Sequence, residues 1–200
     1  MIKLYHAPWT RADRPLWMLE DLEIPFELIP VDIGQEAPQS YLEIHPHGAV
    51  PALVDGHHVI IESAAICTYL ADKHAEKALS PPPNTPSRPQ FYQWMFYCAS
   101  TLEPPAYDIV LHRKLLPENL RSKSRLKEAT ERFHESAKFI ERTLDDRSYI
   151  LGETFTAADI LLGSTLMWNK SLLEDYSNVS LYVKRLSSRP ALKRTRARFK

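Results

Sequence analysis

The chain has 200 residues, 44% of them hydrophobic, enough to bury one large core or two small ones and too apolar to stay disordered. Twenty-five Lys and Arg balance 25 Asp and Glu, and a formal charge of zero leaves no overall field to gather nucleic acid or an anionic membrane. No run approaches the ~18 apolar residues of a membrane span, the opening Met1–His6 stretch lacks a long apolar core ahead of a cleavage site, and the separated Cys67 and Cys98 read as core thiols rather than a disulfide or zinc framework, so a cytoplasmic, metal-free protein is expected.

Ile2-Lys3-Leu4-Tyr5 alternates as a short strand, and Pro8 marks the loop after it. Ala12 to Leu22 places Leu16, Leu19 and Leu22 at helical spacing. Phe26 to Val31 is a second strand with Pro30 at an edge or its end, and Pro51 to Val54 is a third. Asp55-Gly56 predicts a hairpin turn that returns His58 to Ile61 antiparallel, before a helix from Ser63 to His74. The order βαβ, then ββα, predicts a small α/β layer.

Ser80 to Pro89 holds five prolines in ten residues, which remove backbone donors and forbid regular helix. Two domains are expected, 1–80 and 90–200, joined by a linker over 81–89. The first carries a net charge of −7 and the remainder +7; opposite signs could help the halves, or two copies, meet, or could mark two solvated faces. Beyond the linker, Gln90 to Ser100 and Arg121 to Leu144 are helical in period, interrupted by Pro104-Pro105 and Pro117. Thr156-Ala157-Ala158-Asp159 is a capping box opening a buried helix through Leu161, Leu162, Leu166 and Met167. A final helix around Leu181 to Leu186 stops before Pro190. The second half is all-α.

Two short segments could carry chemistry. Val50-Pro51 follows the turn His45-Pro46-His47-Gly48; a cis bond there would turn the backbone of Val50 outward as a docking edge for a peptide, although Val-Pro alone is most often trans. Ser63 sits at the N-cap position of a helix with Glu62 before it. That helix start could hold a carboxylate while Glu62 accepts from an ammonium, or Ser63 could be a plain cap. The histidines offer no metal site, because His57-His58 on a strand cannot both face one way.

Taken in sequence, Gly48-Ala49-Val50-Pro51-Ala52-Leu53-Val54-Asp55-Gly56 and Ile61-Glu62-Ser63-Ala64-Ala65-Ile66-Cys67-Thr68-Tyr69-Leu70 resemble the signature of the glutathione transferase family. Arg14 to Leu22 resembles its first helix, Phe155 to Ile160 its helical capping motif, and Tyr182 to Ala191 its C-terminal ending. The resemblance implies an α/β thioredoxin-like N-terminal domain that binds glutathione, an all-α C-terminal domain that shapes a pocket for a small hydrophobic electrophile, and a homodimer with no nucleic-acid or membrane partner. It implies that Val50, before a cis Pro51, pairs its backbone with the cysteinyl unit, and that Glu62 and Ser63 hold the γ-glutamyl end. Ala49 departs from the Gln or Lys of many relatives beside the glycyl end, with His45 or His47 as substitutes.

A free thiol has a pKa of about 8.5, and lowering it by two units takes roughly 2.7 kcal/mol. The family places a hydroxyl for this either on a tyrosine ending the first strand or in the following loop. Here both are filled, by Tyr5 and Thr10. Trp9-Thr10-Arg11-Ala12-Asp13-Arg14 resembles the loops of serine-type bacterial and plant-like members, which implies Thr10 as the catalytic group with Tyr5 in reserve. Thr10 could also cap the first helix, and Arg11 adds positive potential or forms an exposed salt bridge. The loop has no cysteine, which disfavours thiol-disulfide exchange, and it lacks the serine-serine-cysteine loop of isomerase relatives. Tyr97, Tyr107 and Trp168 are candidate electrophile contacts. A non-catalytic binding or regulatory protein, supported by Ala49 and the basic ending Lys193 to Lys200, and a glutathione-dependent isomerase or peroxidase are the alternative readings.

Overall fold

Alternation along the first strand sets the layers of the N-terminal half. A computed structural model describes residues 1–199, and Lys200, the last cation of the basic ending, lies outside the described residues. Strand β1 (Ile2–His6) buries Ile2, Leu4 and His6 and leaves Lys3 exposed and Tyr5 half-buried. It pairs in parallel with β2 (Phe26–Pro30) and antiparallel with β3 (Ala52–Asp55), which pairs with β4 (His58–Ile61), giving the order β2-β1-β3-β4. Pro30 ends β2, an edge strand, where its missing N–H costs no rung. The turn between β3 and β4 is made by Gly56 and His57, with φ +62° at Gly56, and Asp55 closes the last rung with His58. His57 is therefore in the turn, where strand alternation does not apply, and its ring lies 4.2 Å from that of His58 between centroids. This corrects the expectation that the two must diverge.

Helix α1 (Asp13–Leu22) tolerates Pro15 because the N–H groups of a first turn have no helical acceptor. It packs on α3 (Ser63–Lys73), while the short α2 (Gln39–Leu42) brings Tyr41 onto Tyr5, centroids 5.3 Å apart. This is the mixed sheet expected of the thioredoxin-like half. Near α2, Gly48 has φ +61°, and a Cβ there would meet that of Ala37 at 2.8 Å, so only glycine fits.

In the second half α4 (Arg88–Tyr97) runs into α5 (Glu103–Val110) through a π-helical turn at Cys98–Leu102, and a second π turn spans Leu111–Leu115. The helix therefore does not break at Pro104-Pro105 as the sequence suggests. The two prolines fall in the first turn of α5, and the wider turn before them takes up the missing hydrogen bonds. Helices α6 (Lys123–Thr143), α7 (Ala157–Trp168) and α8 (Ser177–Ser188) complete the unit. Glu141 of α6 caps α8, accepting from the N–H groups of Asn178 at 3.0 Å and Val179 at 2.9 Å. Gly163 lies against Leu186, whose side chain fills the space a Cβ would need. The capping box is present: Asp159, fully buried, accepts from the Thr156 N–H at 2.7 Å and hydroxyl at 3.1 Å, the Ile150 N–H at 2.9 Å and the Tyr182 hydroxyl at 2.8 Å. Tyr97 meets Trp94 edge-on and Phe139 at a tilt in an aromatic cluster.

Helix α8 stops before Pro190 as expected, but that proline does not end the helices. It opens α9 (Pro190–Ala197), and the compact units are Met1–Ser80 together with the segment from Arg189 on, and Pro81–Ser188. The division at 80 coincides with the first unit's boundary, but the expected domain 90–200 gives up its last segment. The reason is charge. Arg189 donates to Asp21 at 2.6 Å, Arg194 to the Glu20 carboxylate at 2.9 Å and carbonyl at 2.6 Å, and Arg198 to Glu20 at 2.6 Å, so α9 covers the outer side of α1. These cations of the basic half neutralise acids of the first, and α1 is buried on nearly every side.

Candidate active site at one end of the sheet

Strand register gathers the candidate residues. Ala52 opens β3, facing Tyr5 near the end of β1 on one side and Ile61 at the end of β4 on the other. The loop after β1 with Thr10, the Val50-Pro51 pair before β3 and the Glu62-Ser63 pair after β4 therefore leave the sheet at one end. The Val50–Pro51 peptide bond is cis, and Val50 lies ahead of the paired rungs. Tyr41, almost fully buried, donates its hydroxyl to the Ala49 carbonyl at 2.5 Å and so pins the segment leading to Val50. Burial and the neighbouring Tyr5 push the Tyr41 phenol up to about 12, so it stays a donor.

At the start of α3 the cap differs from the sequence expectation. Glu62, not Ser63, is the N-cap residue, and its backbone is left-handed at φ 72°, ψ 117°. A non-glycine residue held there costs of order 1–3 kcal/mol, and such strain gathers at functional sites. The first helical bond runs from the Ile66 N–H to the Glu62 carbonyl at 2.9 Å, so the N–H groups of Ser63, Ala64 and Ala65 have no helical acceptor, and no side chain caps them. Ser63 is buried as the first helical residue. Its Oγ accepts from Nη1 of Arg14, itself buried, at 3.1 Å. A hydroxyl that accepts from a guanidinium keeps its own proton to donate, so Ser63, the free N–H groups and the Arg14 charge together make an anion seat. Glu62, exposed beside it, is an acceptor for an ammonium.

Arg14 and Tyr41 are the residues that motif reading missed as site residues. The signal for Arg14 was a lone cation among the apolar positions of α1, whose partner lies 49 residues away. Tyr41 gave no local signal, because its partner is a backbone carbonyl.

In the turn before Val50, His45 is buried and its Nδ1 accepts from the His47 N–H at 3.3 Å, which puts its proton on Nε2. Burial is the main cause that holds its pKa below the usual histidine value, with His47 adding to it; Glu62 is close enough to act in the opposite direction. His45 is thus a neutral donor rather than a cation, while His47 is exposed. In the loop after β1, the Thr10 hydroxyl donates to the Ala7 carbonyl at 2.6 Å and accepts from the Ala12 N–H at 3.2 Å. It braces the turn that leads into α1, and its proton must leave Ala7 to serve a thiolate. Tyr5, the reserve hydroxyl, is stacked on Tyr41. Among the described residues no group of three or more His, Cys, Asp or Glu is placed to hold a metal ion, and no helix is long and apolar enough to cross a membrane.

Comparison with known proteins bears on the chain as a whole. The family profile for the glutathione S-transferase N-terminal domain matches residues 4–78, and that for the glutathione S-transferase C-terminal domain matches residues 93–190. The chain is 30% identical over 215 residues to Glutathione S-transferase F9 of Arabidopsis thaliana, covering 100% of this chain and 98% of that one. It is 28% identical to Glutathione S-transferase GstA of Escherichia coli O157:H7, over 94% of each. The crystal structure of poplar glutathione transferase F1 superposes with a TM-score of 0.89 at 26% identity, over 98% of this chain and 97% of that chain. With the two family profiles matched in order and a full-length relative beside them, the chain belongs to the glutathione S-transferase family.

Proposed function

We propose that this protein is a glutathione transferase that binds the tripeptide along the end of its sheet, stabilises the thiolate and conjugates it to a hydrophobic electrophile. The observation that carries the reading is the uncapped start of α3, where Ser63 is backed by the buried Arg14 and Glu62 is held in a strained backbone. The α-carboxylate of the γ-glutamyl unit takes the anion seat and its ammonium meets Glu62. Val50 pairs its backbone with the cysteinyl unit. At the other end the Thr10 hydroxyl turns from Ala7 to the sulfur, and the thiol proton passes to solvent. The sulfur then forms a C–S bond to the electrophile as its leaving group departs or its unsaturated bond takes the electron pair. The reading extends to a cytoplasmic homodimer with a detoxifying role and glutathione as co-substrate.

Thr10→Val tests the chemistry. The variant keeps the shape and loses the hydroxyl, so the thiol of bound glutathione, followed by its thiolate absorbance against pH, is expected to titrate about one unit higher or more, with conjugation near neutral pH about tenfold slower. An unchanged profile removes Thr10, and the same titration in Tyr5→Phe then decides for or against the reserve. The Thr10–Ala7 hydrogen bond favours a second reading, a glutathione-binding protein that does not activate the thiol. Retention on glutathione without turnover across halide, epoxide, peroxide and unsaturated carbonyl substrates would select it.

A further inference from the structure

The loop that carries Thr10 is closed at its base by His6, whose Nε2 lies 2.8 Å from Oδ1 of Asp13, the first residue of α1. Between these two residues Trp9 is doubly unusual. Its backbone is left-handed at φ 62°, a conformation that a bulky side chain rarely adopts, and the residue is 75% exposed. Such a conformation persists only where surrounding contacts over-determine it. One of those contacts comes from far along the sequence. The ring of Phe199 lies flat on His6, centroids 4.9 Å apart with planes 9° apart, and meets the Trp9 ring at 6.0 Å and 60°. Phe199 is in turn fixed by its neighbours, since Arg198 and Arg194 both hold the buried Glu20 carboxylate, and the Arg198 guanidinium also lies 4.9 Å from the Phe26 ring centroid.

We propose that Phe199 is a positioning residue for the proposed reaction, an aromatic clamp that spans His6 and Trp9 and fixes the loop between them so that the Thr10 hydroxyl meets the sulfur. The arginines on Glu20 set the clamp, the stacked ring transmits it, and the left-handed Trp9 is the backbone it holds. This rests on the assignment of Thr10 made above. Because the ring contacts of Phe199 are with His6 and Trp9 at the Thr10 loop, its loss acts on thiol ionisation and not on tripeptide binding.

The experiment uses the full chain with Phe199→Ala, Phe199→Tyr and Thr10→Val, and reads amide hydrogen exchange over residues 9–12 together with the pKa of the bound glutathione thiol. Phe199→Ala is expected to speed exchange there, raise the thiol pKa by about half a unit and lower kcat about threefold at neutral pH, with KM for glutathione unchanged, while Phe199→Tyr restores all three. Unchanged exchange in Phe199→Ala overturns the clamp. Faster exchange with an unchanged thiol pKa, in an enzyme where Thr10→Val raises it, overturns its positioning role. If Phe199→Ala raises the thiol pKa and Thr10→Val does not, the clamp stands, acting through another group of the loop, and the Thr10 assignment fails.

Discussion

In the proposed reading Ser63 and Glu62 divide the work of holding a zwitterion, and single substitutions separate their parts. Ser63→Ala removes a hydroxyl that donates to an anion, and calorimetry is expected to show glutathione binding about tenfold weaker or more. Glu62→Gly removes the carboxylate and the left-handed strain together, so it should weaken binding while leaving the fold as stable or up to about 1 kcal/mol more stable. That combination would identify the strain as functional, and denaturant melts beside the calorimetry check it. His45 supplies a pH dependence. Its folded pKa is lowered, so the stability it contributes is full above the unfolded value of about 6.5 and is lost as the pH falls through the folded value. Melting temperature and glutathione affinity are expected to fall on that acid side, and less so in His45→Asn, which keeps an acceptor for the His47 N–H and cannot charge. That Val50, Glu62 and Ser63 gather at one end of the sheet was legible because each sits in a compact motif. Ser63 was misplaced by one position, because a hydroxyl ahead of an apolar run reads as a cap, whereas here the buried Arg14 engages its side chain.

At the scale of elements, the sheet and its helices could be read because periods of 2 and 3.6 residues reflect which face is buried. The π turn at Cys98–Leu102 could not, since prolines within a helical pattern signal an end and the register shift that accommodates them has no local signature. The capping box of α7 was legible in full, but its reach was not. Burial pushes the Asp159 carboxyl up from the ordinary aspartate value, and four donors from Ile150, Thr156 and Tyr182 pull it back. Asp159→Ala would leave those donors buried and unpaired, and a loss of about 3 kcal/mol or more is expected in thermal or denaturant unfolding. Asp159→Asn, which keeps two acceptor sites on one oxygen, should cost less.

For the molecule as a whole, α9 was the element the sequence concealed. Only Ala191, Leu192 and Thr195 of it are buried, too few for an apolar stripe, and Arg194 finds Glu20 174 residues away. The opposite charges of the two halves were visible, but not which acids would meet which arginines. A chain truncated after Ser188 is therefore expected to lose protection from hydrogen exchange in α1 and β1 first, with α7 little changed, because the uncovered Glu20 and Asp21 belong to the first unit.

That placement orders events during synthesis. The first 80 residues leave the ribosome well before the arginines that cover α1 exist, so the nascent first unit waits for the helical unit to be translated before it can close. The half that is made first is finished last, and its time of greatest exposure to chaperones and proteases spans the making of the whole helical unit, Pro81–Ser188.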